Sequence, residues 1–171
     1  MKRILIGVLA TGCIIAGTFY AASGSSEGEK YPKKIDNVIS SYLVQKFHNS
    51  NDFYHSNDTN EKGFEVHHVY GAETKNDVIT AYILSEYGEF QKSNNNELSG
   101  QVVPAVIKMK QAGSSYEIID YEEAKDGAMY VDSIKEMFPK QYAEQILKKN
   151  SNSFDLNAQL MKKVQEWNRS N

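Results

Sequence analysis

Four histidines, His48, His55, His67 and His68, are the first residues to weigh for chemistry in this chain, because imidazole ligates metals and moves protons near neutral pH. A zinc site needs ligands that converge on one ion. His67 and His68 are neighbours in a segment of strand-like alternation and so point to opposite faces. No H-E-x-x-H occurs, and Glu65 stands two residues before His67, not at a metalloprotease spacing. The pair reads as one partly buried and one exposed histidine, with no metal. A serine nucleophile would need a strained G-x-S-x-G elbow, which is missing, and Gly113-Ser114-Ser115 suits a hairpin turn instead. The chain also has no G-x-x-x-x-G-K-[ST] and no G-x-G-x-x-G. No catalytic residue and no cofactor are therefore assigned. Asp120, Glu122, Glu123 and Asp126 lack the glycine and later glutamate of a calcium loop, and they read as a solvated strand end that discourages edge pairing.

Tyrosine is the more unusual resource, with 11 in 171 residues. It offers a wide apolar surface with a hydroxyl handle, so it suits a binding cleft as well as a half-buried sheet. Tyr70, Tyr82 and Tyr130 could line one wall of a corner, with Asp126 as the acceptor that fixes a polar or cationic ligand. In the competing reading Asp126 shapes the Asp126-Gly127 turn and the tyrosines fill the edge of the core.

The single cysteine, Cys13, lies in the leader, so the rest of the chain has no disulfide, thiol nucleophile or thiolate ligand. Met1-Lys2-Arg3 precedes an uncharged run from Ile4 to Ala22, which is an export pattern. As a helix those 19 residues would reach about 28 Å, close to the bilayer hydrocarbon thickness. Three fates are open: an uncleaved anchor, cleavage near Ala21-Ala22-Ser23, or lipidation of Cys13 in Ala10-Thr11-Gly12-Cys13. Lys2 and Arg3 fall within residues 1–22 and no acid does, so the remainder carries 17 basic and 22 acidic residues, a net of −5. No basic stripe is left for nucleic acid. Residues 23–34, SGSSEGEKYPKK, read as a flexible spacer, and residues 35–171 as a single extracytoplasmic domain.

The elements that must position these residues follow from periodicity. Ile35, Val38, Ile39, Tyr42, Leu43 and Phe47 fall on one helical stripe. Residues 48–63 read as a loop, and residues 64–70 as a strand that Gly71 ends, with residues 71–76 a short link. Residues 77–91 and 101–110 read as the next strands, Pro104 suggesting an edge position or a bulge in the latter. A turn at Ala112-Gly113-Ser114 leads to a fourth strand ending at Glu122. Short turns favour an antiparallel meander. Ser133-Ile134-Lys135-Glu136 has the form of a capping box opening a helix, Phe138-Pro139 interrupts it, and a last helix runs from Phe154 to Trp167. The expected fold is α+β: an N-terminal membrane-targeting helix, then a helix packed on a curved four-stranded antiparallel sheet, then C-terminal helices.

The segments Phe64 to Gly71, Val78 to Tyr87 and Asp126 to Pro139 together resemble a small extracytoplasmic domain of Firmicutes. That domain occurs as a lipoprotein or membrane-anchored protein and at the C-terminus of metallopeptidases resembling the beta-lactam sensor antirepressors. The resemblance implies placement outside a Gram-positive cell. It carries no protease activity over, since the zinc motif and membrane spans of the peptidase half are missing here. The expectation is a non-catalytic binding or accessory module of the cell envelope, partnered by the membrane through its N-terminal segment and by an envelope protein or small-molecule ligand. The alternative is a small extracytoplasmic enzyme with its site in the concave face of the sheet.

Overall fold

The computed structural model describes residues 19–21, 33–50, 60–92, 96–148 and 155–170. Cys13, most of the leader, the spacer up to residue 32, His55 and the break at 150–153 lie outside them. The fold is α+β, with an open antiparallel sheet between helices. Helix α1 (Lys33–His48) begins two residues inside the expected spacer. A four-stranded meander follows, β2 (Glu61–Lys75), β3 (Val78–Gln91), β4 (Glu97–Ala112) and β5 (Ser115–Glu123). A three-residue strand, β1 (Phe19–Ala21), pairs antiparallel with Gly71, Ala72 and Glu73 at the outer edge of β2. It stands where a helical run to Ala22 was expected.

Two of the hairpin turns, β2–β3 and β4–β5, are set by backbone chirality. Lys75 pairs with Val78 across Asn76 and Asp77, whose φ values of 50° and 63° are the left-handed geometry of a two-residue primed turn, which Asn and Asp tolerate. Ala112 pairs with Ser115 around Gly113 at φ 58°. Strand β2 does not stop at Gly71 as expected: a bulge between Val69 and Gly71 absorbs one residue and the ladder runs on to Lys75. The bulge decides which face each side chain meets. Without it Ala72 would share the face of Val66, whereas with it Val69 and Ala72 both join the core under α1.

That core forms where the four-residue spacing of Ile35, Ile39, Leu43 and Phe47 meets Ala81, Ile83, Tyr87, Ala105, Ile107 and Met109. Each large apolar side chain buried there is worth about 1.5–3 kcal/mol. The opposite face carries the C-terminal helices. A 3₁₀ turn (Gly127–Met129), α2 (Tyr130–Met137) and α3 (Lys140–Leu147) cover Tyr70, Tyr82 and Val106. Helix α4 (Leu156–Arg169) sets Leu156, Leu160 and Val164 against Phe64, Val66 and Phe90, with the Trp167 ring packed at a tilt 5.5 Å from Phe64.

Two local expectations are corrected. Pro104 lies in an interior strand, between β3 and β5, and at no bulge. Its carbonyl accepts from Ala124 N–H at 2.9 Å, so its nitrogen faces the side where β5 ends and the β3 ladder loses nothing. Ser133 does not open a helix either. It sits inside α2, buried, where its hydroxyl donates to the Tyr130 carbonyl and accepts from Lys125 N–H, tying the segment after β5 onto the helix. The break at Phe138-Pro139 is present, with Phe138 extended at φ −105° and ψ 141°.

Candidate functional site

Strand parity puts Glu65 and His67 on the same face of β2, toward α1, where Asp36 and Ser40 stand one helical turn apart. In register, His67 lies opposite Ser85 of β3. These five side chains form one seam. His67 Nδ1 meets Glu65 Oε1 at 3.0 Å, and its Nε2 lies 3.6 Å from Asp36 Oδ1. Ser40 Oγ donates to Glu65 Oε2 at 2.7 Å and Ser85 Oγ to Glu65 Oε1 at 3.1 Å. Burial alone would pull the His67 pKa down, but hydrogen bonds and charge from Asp36 and Glu65 outweigh it and push it up to about 9.

A protonated ring between two carboxylates has no lone pair to act as a base. Both serine hydroxyls serve the glutamate and not the imidazole, which is not the relay of a serine hydrolase. The seam is an ionic fastening of α1 to β2 and β3. Its partner at the other end of the helix is Glu89, 2% exposed, which accepts from the Tyr87 hydroxyl at 2.7 Å and meets His48 Nδ1 at 3.1 Å. His68, on the opposite face, packs edge-on against Tyr70 at 4.9 Å. The two neighbours do point apart, though neither is exposed: the His67 side chain is buried and His68 is half-buried. Among the described residues no set of three or more His, Cys, Asp or Glu side chains is arranged to hold a metal ion.

The structure brings Tyr70, Tyr82 and Tyr130 together with Phe138 and Tyr142 beneath α2 and α3. Tyr70 and Tyr82 are 3% and 7% exposed, and the Tyr82 ring packs 5.4 Å from Tyr142 and 5.8 Å from Phe138. Burial, then the neighbouring Tyr130, raises the Tyr70 phenol to about 12, and burial, then Asp126, raises that of Tyr130. Tyr82 donates to Glu73. Asp126 is exposed and precedes Gly127, whose φ of 66° makes the turn.

A broad groove of about 620 Å³ opens elsewhere, where the β2–β3 and β4–β5 turns come to the same end of the sheet. Thr74, Asp77, Ile79, Lys110, Gln111, Gly113 and Tyr116 line it. Thr74 pairs with Ile79 and Gln111 with Tyr116, while Ile79 and Tyr116 pack against the α1-side core, so these four share the α1 face. Gln111 Nε2 donates to the Gly113 carbonyl at 3.3 Å, which orients the amide.

Sequence reasoning missed both features for stated causes. The spacing of Glu65 and His67 was compared with a helical zinc motif, when the strand period already placed them side by side; their partners on α1 and β3 are distant in sequence. The groove draws on four strands and has no motif. Comparison with protein-family models, with curated proteins and with solved structures finds no match to the chain in any of the three.

Proposed function

We propose that the chain is an exported, non-catalytic domain that acts by binding, as an accessory module at the envelope of a Gram-positive cell, held or delivered by its apolar N-terminal segment. The observation that carries the binding role is the groove: side chains from four adjacent strands and the β2–β3 turn line one opening, and among the described residues the Thr74, Asp77 and Tyr116 side chains make no hydrogen bond. Glu65 and His67, an acid and an imidazole of the kind that move protons, are committed to each other beneath α1. The export half of the proposal rests on the charge and apolar pattern of residues 1–22.

One experiment addresses both halves. The full chain is expressed in a Gram-positive host, fractionated, and the purified protein screened by thermal shift against envelope-derived small molecules, with turnover of any hit followed. Recovery from the cytosol sinks the export reading. A hit that is consumed would favour the enzyme alternative. The tyrosine corner offers a second surface only at its rim, where exposed Asp126 and half-buried Tyr130 lie beside the buried Tyr70 and Tyr82. There Asp126→Asn and Tyr130→Phe would weaken capture of a hit while leaving the melting temperature nearly unchanged.

A further inference from the structure

The lining of the groove narrows what it can hold. Register puts Thr74, Ile79, Gln111 and Tyr116 on the groove face, and none of the four is charged. Lys110, also in the lining, pairs with Val78 and Glu117, one position out of phase with Gln111, so by strand alternation it borders the groove from its edge and not from its floor. Asp77 sits in the turn at the rim. The face is thus an aromatic ring and an aliphatic side chain flanked by a hydroxyl and a primary amide. With one Nε2 hydrogen given to Gly113, Gln111 presents its carbonyl oxygen as an acceptor and its second N–H as a donor, and Thr74 and the Tyr116 hydroxyl can each donate and accept. Four strands at their usual spacing set this surface about 14 Å wide, and the groove is open rather than enclosed, so a linear ligand can lie across it. A ring with an apolar face and a rim of hydroxyls matches these features. A hydrophobic ligand would leave the polar groups unpaired, and a highly charged one finds no counter-charge on the floor.

Resting on the binding reading above, we infer that the groove takes a neutral, hydroxyl-rich chain, an oligosaccharide, laid over Tyr116 and held through Thr74, Gln111 and Asp77. The experiment is isothermal titration of the full chain in detergent with the tetramer of N-acetylglucosamine, cellotetraose and maltotetraose, and with tetra-alanine as the peptide control. The expected result is binding of at least one glycan, weakened roughly tenfold or more by Gln111→Ala and by Tyr116→Leu, with tetra-alanine silent. Gln111 is exposed and Thr74 half-buried outside the core clusters, so Thr74→Ala and Gln111→Ala remain informative if Tyr116→Leu lowers stability. Absence of binding by all three glycans overturns the inference. So does glycan binding that none of these substitutions changes, which would place the ligand elsewhere. Tetra-alanine binding that Gln111→Ala abolishes would remove the glycan and leave the binding module standing.

Discussion

His67 should make the stability of the domain depend on pH in a direction opposite to that of an ordinary buried histidine. Its folded pKa of about 9 stands above the unfolded value of 6.5. A raised pKa means that the folded state holds the proton more tightly, so the contribution is fully present below pH 6.5 and is lost as pH rises through 9. The difference of about 2.5 units corresponds to about 3 kcal/mol, a large share of a total of about 5–15 kcal/mol. The perturbation is His67→Gln, which keeps a polar side chain between Asp36 and Glu65 but cannot take up the proton. The assay is urea unfolding between pH 6 and pH 9, followed by the fluorescence of Trp167, the only tryptophan, which packs against Phe64 at the far side of the sheet. The wild type should lose about 3 kcal/mol across that range while the variant stays nearly flat, so that the two curves converge near pH 9. Staying below pH 9 keeps the phenols and lysines out of the measurement. Parallel curves, or a wild type that gains stability with pH, would show that the ring is neutral and that the seam is not ionic.

Glu65→Ala removes the acceptor of two serines and of His67 together and leaves the buried imidazolium with Asp36 alone. It should cost about 3–5 kcal/mol by the same urea assay, and a loss under 1 kcal/mol would contradict the network. Ile39→Asp and Ile107→Asp, both at positions 0% exposed, should each abolish the cooperative melt seen by circular dichroism. Gly71→Ala would drive a methyl group into the Tyr142 ring, since Tyr70 and Gly71 together take up the bulge; about 1–3 kcal/mol should be lost, and an unchanged midpoint would show the ring to be free to move. Cys13→Ala should abolish membrane retention if Cys13 carries a lipid and leave it intact if the apolar segment is an anchor, read by fractionation.

The sheet and its helices were legible to the extent that they obey local periods. The stripe from Ile35 to Phe47, the meander order and the break at Phe138-Pro139 all follow from spacing and from proline sterics. Strand ends were less legible. Glu61, Lys62, Glu73 and Lys75 are polar, yet they pair with β3 because the ladder continues past the last core residue. The bulge at Val69–Gly71 was hidden because Gly71 read as a stop, when what it supplies is room for Tyr142. Ser133 looked like a cap because its neighbours match a capping box, but tertiary contact with Lys125 decides its role. Of the candidate corner, parity set only Tyr70 on the face of Val66 and Tyr82 on that of Leu84; the register between their strands was not legible, and Tyr130 lies on a helix. Their burial was not legible either, because Phe138 and Tyr142 arrive from later in the chain.

Strand β1 places a demand on the leader that length alone does not reveal. Phe19, Tyr20 and Ala21 are counted in the apolar run, and their backbone is engaged with Ala72 and its neighbours. With those residues in the sheet, the uncharged stretch left from Ile4 to Thr18 would reach only about 22 Å as a helix, against about 30 Å of hydrocarbon. The same residues cannot complete a bilayer crossing and border the sheet at once. If residues 4–22 crossed a bilayer, β1 would be given up and the β2 edge bared; if β1 is kept, residues 4–18 alone are too short to cross. Removal of residues 1–22 would strip a strand from the sheet.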